Sequence, residues 1–167
     1  MPISPDATTA IGHTPLVQLR RVVPAGHARL LVKVEGQNPT GSLKDRMALA
    51  VVDRALASGR LPRDGRLVEY TGGSTGTSLA FACAARGVAC TVVTSDAFSL
   101  EKRNHMRALG AEVIELPSQG GGITRDLIRG MMARAAELCE QPRTFAADQF
   151  HHTEPTKDYA SPSHEIV

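Results

Sequence analysis

Tryptophan is absent from the chain, and aromatic residues make up only 4% of it. The core must then rest on aliphatic side chains and alanine, and a single-stranded nucleic acid would find no stacking platform. Charge of one sign is scarce too. Nineteen Lys and Arg face seventeen Asp and Glu, a formal +2 with the signs interspersed, which leaves no basic footprint for nucleic acid. Cys83, Cys90 and Cys139 form no CxxC pair. Cys83 in an apolar helical stretch and Cys90 in an apolar strand read as small buried hydrophobes, and an odd count without framework spacing points to a reducing compartment. No apolar run approaches membrane-spanning length. Met1 to Ala10 lacks the basic and apolar regions of a secretory signal. These absences predict a cytoplasmic protein whose partners are neither nucleic acid nor membrane.

What remains is a chain of 167 residues, 42% hydrophobic and 22% charged, enough to bury the core of one ordinary domain. Two short strands are predicted at Leu16–Leu19 and Leu30–Val34, around a Pro24-Ala25-Gly26 turn. Strand and helix then alternate. Ser42 and Asp45 have capping-box spacing before a helix that should stop near Ser58-Gly59. Strands follow at Leu67–Tyr70, Ala89–Thr94 and Glu112–Leu116. Between them, one helix opens at Thr71–Gly76 and ends at Gly87, and another is capped by Ser99 and ends near Gly110. A Gly120-Gly121-Gly122 turn leads to a helix with Leu127, Met131, Ala135 and Leu138 on one face, and Phe145 marks a last short strand. The alternation predicts an α/β fold, an open, mostly parallel sheet flanked by helices. From His151 onward periodicity is lost, and the chain ends without closing an element, as if cut.

Two glycine-bearing turns carry the chemistry. In Asn38-Pro39-Thr40-Gly41-Ser42-Leu43-Lys44-Asp45-Arg46, Lys44 stands just inside a helix start, where the helix dipole disfavours an ammonium and favours the nucleophilic amine. In Thr71-Gly72-Gly73-Ser74-Thr75-Gly76, glycines let the backbone approach a ligand, and N–H groups with three hydroxyls suit a carboxylate. The same turn could simply be a strand-to-helix connection with Ser74 or Thr75 as N-cap. Neither G-x-G-x-x-G nor a P-loop occurs. The six histidines show no ligand spacing, His151 and His152 being adjacent, and no metal site is expected. Gln149, in Asp148-Gln149-Phe150, follows the last strand and could turn its amide to a ligand.

Ile11-Gly12-His13-Thr14-Pro15-Leu16, Lys33 to Arg46 and Thr71 to Gly76, in this order, resemble the fold-type II pyridoxal-phosphate enzymes. The likeness is strongest to the branch of cysteine synthase (O-acetylserine sulfhydrylase) and cystathionine β-synthase. Ser99 to Arg103, Leu109 to Glu112 and Asp148 to Phe150 fall in the family's order as well. The resemblance implies that Lys44 holds pyridoxal 5'-phosphate as a Schiff base and abstracts the Cα proton. It implies that Thr71, Gly72, Gly73, Ser74 and Thr75, with Gln149, bind the substrate carboxylate, and that Ser74 also faces the cofactor. The implied reaction is β-replacement on O-acetylserine by sulfide, giving cysteine, in a protein that is usually a homodimer.

The chain departs from that pattern twice. The family loop reads T-S-G-N-T-G, so Gly72 lacks a hydroxyl and Ser74 replaces the asparagine near the cofactor's 3′ oxygen. Thr75 argues against the dehydratase branch, which has histidine there. Family members are also longer, and their remaining part carries the glycine-rich loop that binds the cofactor phosphate. Gly120-Gly121-Gly122 comes too early to be that loop. The expected organisation is therefore residues 1–40 as strands of an incomplete larger domain, 41–150 as a substrate-binding α/β domain and 151–167 as an irregular tail. Two other readings stay open: a non-catalytic module binding a small carboxylate or a protein, and β-elimination without sulfide addition.

Overall fold

The computed structural model describes residues 3–24, 26–148, 163 and 165–166. Strands β1 (Leu16–Leu19) and β2 (Leu30–Lys33) form an antiparallel hairpin that is a sheet of its own. The remaining elements are α1 (Lys44–Ala57), β3 (Arg66–Tyr70), α2 (Ser74–Arg86), β4 (Ala89–Ser95), α3 (Leu100–Ala108), β5 (Glu112–Leu116), α4 (Arg125–Cys139) and β6 (Thr144–Ala146). Strands β3 to β6 form one sheet in the order β5-β4-β3-β6, every pairing parallel. The expected α/β architecture is present, and the helices stop close to Gly59, Gly87 and Gly110 as predicted.

Strand periodicity explains the two layers around this sheet. Successive side chains of a strand face opposite ways, and Leu67 and Val92 pack with residues of α1, α2 and α3. Their neighbours Val68 and Val93 pack with Leu127, Met131, Ala135 and Leu138 of α4. Those four are the buried positions of α4, the face its sequence predicts. A sheet covered on both sides needs continuous apolar strands, which accounts for the Ala89–Ser95 run. Strand order reverses at β3: the chain runs outward through β4 and β5, then returns to place β6 on the other side. Ligands of such sheets bind beyond the carboxyl ends of the strands at the reversal, where the Thr71–Gly76 turn leaves β3.

Two local expectations are corrected. Leu43, not Ser42, is the N-cap of α1 and makes no side-chain cap. Ser42 Oγ accepts the Lys44 N–H at 3.0 Å, but Asp45 does not reach back to Ser42. Its carboxylate accepts the Thr40 N–H at 2.8 Å and the hydroxyls of Thr40 and Ser78. Three buried donors outweigh the single bond of a capping box. At α2 the N-cap is Gly73, which has no side chain to offer, rather than Ser74 or Thr75.

Candidate active site

Thr71 continues the ladder past β3, donating its N–H to Val93 O at 3.0 Å, and its hydroxyl accepts the Gly73 N–H at 3.3 Å. The chain turns at Gly72 and Gly73 into α2, whose first residue is Ser74. The N–H groups of a first helical turn lack intrahelical partners and carry partial positive charge, and the N-cap residue here, Gly73, has no side chain to satisfy them. Gly76 is fixed by crowding. A β-carbon there would lie 2.7 Å from the Thr71 methyl and 2.8 Å from Met106 Cε. The loop therefore lies tight against α3 while Gly72, Gly73 and Ser74 remain half-buried.

Lys44 is the first residue of α1 and half-buried, and the side chains of the two residues that follow it are both tied to other parts of the fold. Asp45 is 1% exposed, and Ser78 Oγ, one turn past Ser74, donates to its Oδ1 at 2.6 Å. That bond joins the start of α1 to the start of α2, so the lysine segment and the Thr71–Gly76 loop share one edge of the molecule. Arg46 pairs with Glu35 through Nε at 2.8 Å and Nη2 at 2.9 Å, and with Glu165 through Nη1 at 2.7 Å and Nη2 at 3.0 Å. Lys33 Nζ donates to Glu165 Oε2 at 2.5 Å, and the His13 N–H donates to Oε1 at 3.1 Å. The hydrogen bond from Arg46 draws the Glu35 carboxyl from its ordinary 4.5 down to about 2, against the opposing effect of burial. Arg46 first and Lys33 second hold Glu165 well below the usual carboxylate range.

Of the residues the sequence singles out, Lys44, Thr71, Gly72, Gly73, Ser74 and Thr75 are brought to this edge. Gln149, His151 and His152 lie outside the described residues. Sequence reasoning missed the roles of Asp45 and Arg46, although both stand beside Lys44. Their partners Ser78, Glu35 and Glu165 lie 33, 11 and 119 positions away, beyond any local motif. A separate cleft of about 420 Å³ lies against α4, lined by Val68, Tyr70, Met132, Ala135, Cys139 and Asp148 among others. Lys44 and the Thr71–Gly76 loop do not line it. Burial, then Glu69 and Asp148, push the Cys139 thiol above its ordinary value, which disfavours the nucleophilic thiolate there. Among the described residues, no three His, Cys, Asp or Glu side chains are grouped to hold a metal ion, and no helix is long and apolar enough to cross a membrane.

Residues 7–167 match the family model described as pyridoxal-phosphate dependent enzyme. A cysteine synthase of Staphylococcus aureus (strain Mu50 / ATCC 700699) is 39% identical over 147 residues, which cover 88% of this chain and 46% of that protein. An O-ureido-L-serine synthase of Streptomyces lavendulae is 41% identical over 150 residues, covering 90% of this chain and 44% of that protein. The crystal structure of an O-ureido-L-serine synthase superposes with a TM-score of 0.88 at 37% identity, covering 99% of this chain and 50% of that one. The chain thus spans about half the length of the curated relatives it matches.

Proposed function

The chain belongs to the pyridoxal-phosphate-dependent enzyme family, and from that premise we propose that it carries the lysine-bearing half of a β-replacement enzyme acting on an O-activated serine, with O-acetylserine and sulfide as substrates and cysteine as product. The observation that carries this reading is the Asp45–Ser78 bond, which sets the helix start bearing Lys44 beside the glycine-led N-terminus of α2. An amine and an anion-binding helix start on one edge fit the aldehyde of the cofactor and the carboxylate of an amino acid.

In this reading the cofactor, when bound, supplies electron withdrawal from the substrate Cα. Lys44 Nζ tethers the aldehyde and moves the proton at that carbon. Thr71, Ser74 and Thr75, with the backbone of Gly72 and Gly73, hold the α-carboxylate and so orient the bond to be broken. Ser74 also contacts the cofactor, and Gln149 takes part in binding the carboxylate. The β1–β2 hairpin belongs with a larger domain and residues 41–150 form the substrate domain, supported by the hairpin being a separate sheet. Free thiols at Cys83, Cys90 and Cys139 agree with a reducing, cytoplasmic setting. A homodimer is proposed on the family's habit.

Pyridoxal phosphate added to the purified chain should give visible Schiff-base absorption, and borohydride reduction should fix the label on Lys44. If Lys44→Ala absorbs as strongly as the parent, the assignment is wrong. O-acetylserine with and without sulfide then separates the reactions: cysteine supports replacement, pyruvate in both cases indicates elimination, and binding without product leaves a carboxylate-binding module.

A further inference from the structure

The Gly72 position has no room for a side chain, and one ring is responsible. A β-carbon built there would lie 2.3, 2.5 and 2.7 Å from Cε1, Cδ1 and Cζ of Phe98, well inside the van der Waals contact of non-bonded carbons. The backbone does not ask for glycine here, since Gly72 is not among the residues with positive φ. Phe98 itself is held in place. Its N–H donates to Ser95 O at 3.1 Å, the Ala97 N–H donates to Ser95 Oγ at 3.2 Å, and Asp96 accepts the Ser118 N–H at 2.7 Å. The ring packs on the cluster formed by Val68, Val93 and α4.

We infer that Phe98 is a specificity-determining residue: its ring takes the space of a side chain at 72 and bounds, as an apolar wall, the size of the amino acid whose carboxylate the loop receives. This rests on the carboxylate-binding role proposed for the loop. A loop residue reduced to its backbone leaves recognition at 72 to the peptide group, while the wall keeps water from one side of the site. Hydrogen bonds to a carboxylate strengthen as water is excluded. The substrate class is therefore a small α-amino acid, with bulky β-substituents refused by contact with the ring.

The test uses the full chain, isotopically labelled, with the amide resonances of Gly73 and Ser74 followed during titration by O-acetyl-L-serine or O-benzyl-L-serine. The parent should prefer the acetyl compound, and Phe98→Ala should reduce that preference about tenfold, a change equivalent to about 1.4 kcal/mol. A preference unchanged within about twofold overturns the role of Phe98 while leaving carboxylate binding intact. If the parent responds to neither compound, the carboxylate reading of the loop fails and the specificity role fails with it. Independently of ligand, Gly72→Ser should lower Tm and Phe98→Ala should relieve that loss in the double variant. Strictly additive losses would overturn the packing of ring against glycine.

Discussion

At the scale of single residues, Glu35 shows how a charge is stabilised by its surroundings. It accepts two hydrogen bonds from Arg46, one from the Thr14 hydroxyl at 2.6 Å and one from Asn38 Nδ2 at 2.8 Å. Its carboxyl therefore titrates at about 2 in the folded chain, against an ordinary 4.5. As pH falls below 4.5 the unfolded chain takes up the proton first, so protonation favours unfolding. The contribution of Glu35 is fully present above the ordinary value and is lost progressively down to about 2. Urea midpoints measured between pH 6 and pH 2 should fall within that window. Glu35→Gln should flatten the fall, although Glu165, shifted the same way, keeps part of it.

At the scale of elements, the join between α1 and α2 decides whether the site exists. Asp45→Ala removes the acceptor of three buried donors and should cost about 2–4 kcal/mol. Ser78→Ala removes its bond to Asp45 and its contact with the Thr40 hydroxyl at 3.2 Å, and should cost about 1 kcal/mol. Chemical denaturation of both variants and the pair should show coupling, and Asp45→Ala should weaken Schiff-base absorption with Lys44 still present. The elements themselves were legible in the sequence. Apolar runs, helix-ending glycines and the Leu127, Met131, Ala135, Leu138 face are local signals, and each element they predict is found. Pairings are not local: nothing near Phe145 says that β6 lies beside β3, and nothing near Asp45 says that Ser78 will take its carboxylate from a capping box. The same holds within the site. The glycine at 72 could be read as a lost hydroxyl, but Phe98 as its cause required the fold.

At the scale of the molecule, the four-stranded sheet is covered on both faces while the hairpin is not. Leu16, Val17, Leu30, Leu31 and Val32 are all exposed, although paired strands of such residues ordinarily pack on something. Replacing Val17 and Leu31 by Thr should leave Tm within about 2 °C, because little buried area is lost. The same change should reduce binding of a hydrophobic dye such as ANS. A drop in Tm of more than about 5 °C would mean that these side chains already support the fold. Glu165 adds a constraint of time. Arg46 and its Glu165 partner are 119 positions apart, and translation at about 10 residues per second separates their appearance by about 12 seconds. Through that interval the nascent chain must carry Lys33 and Arg46 beside Glu35 with their second carboxylate still unmade. The clamp around the Lys44 helix therefore cannot close before Glu165 has been made, long after the helix it holds.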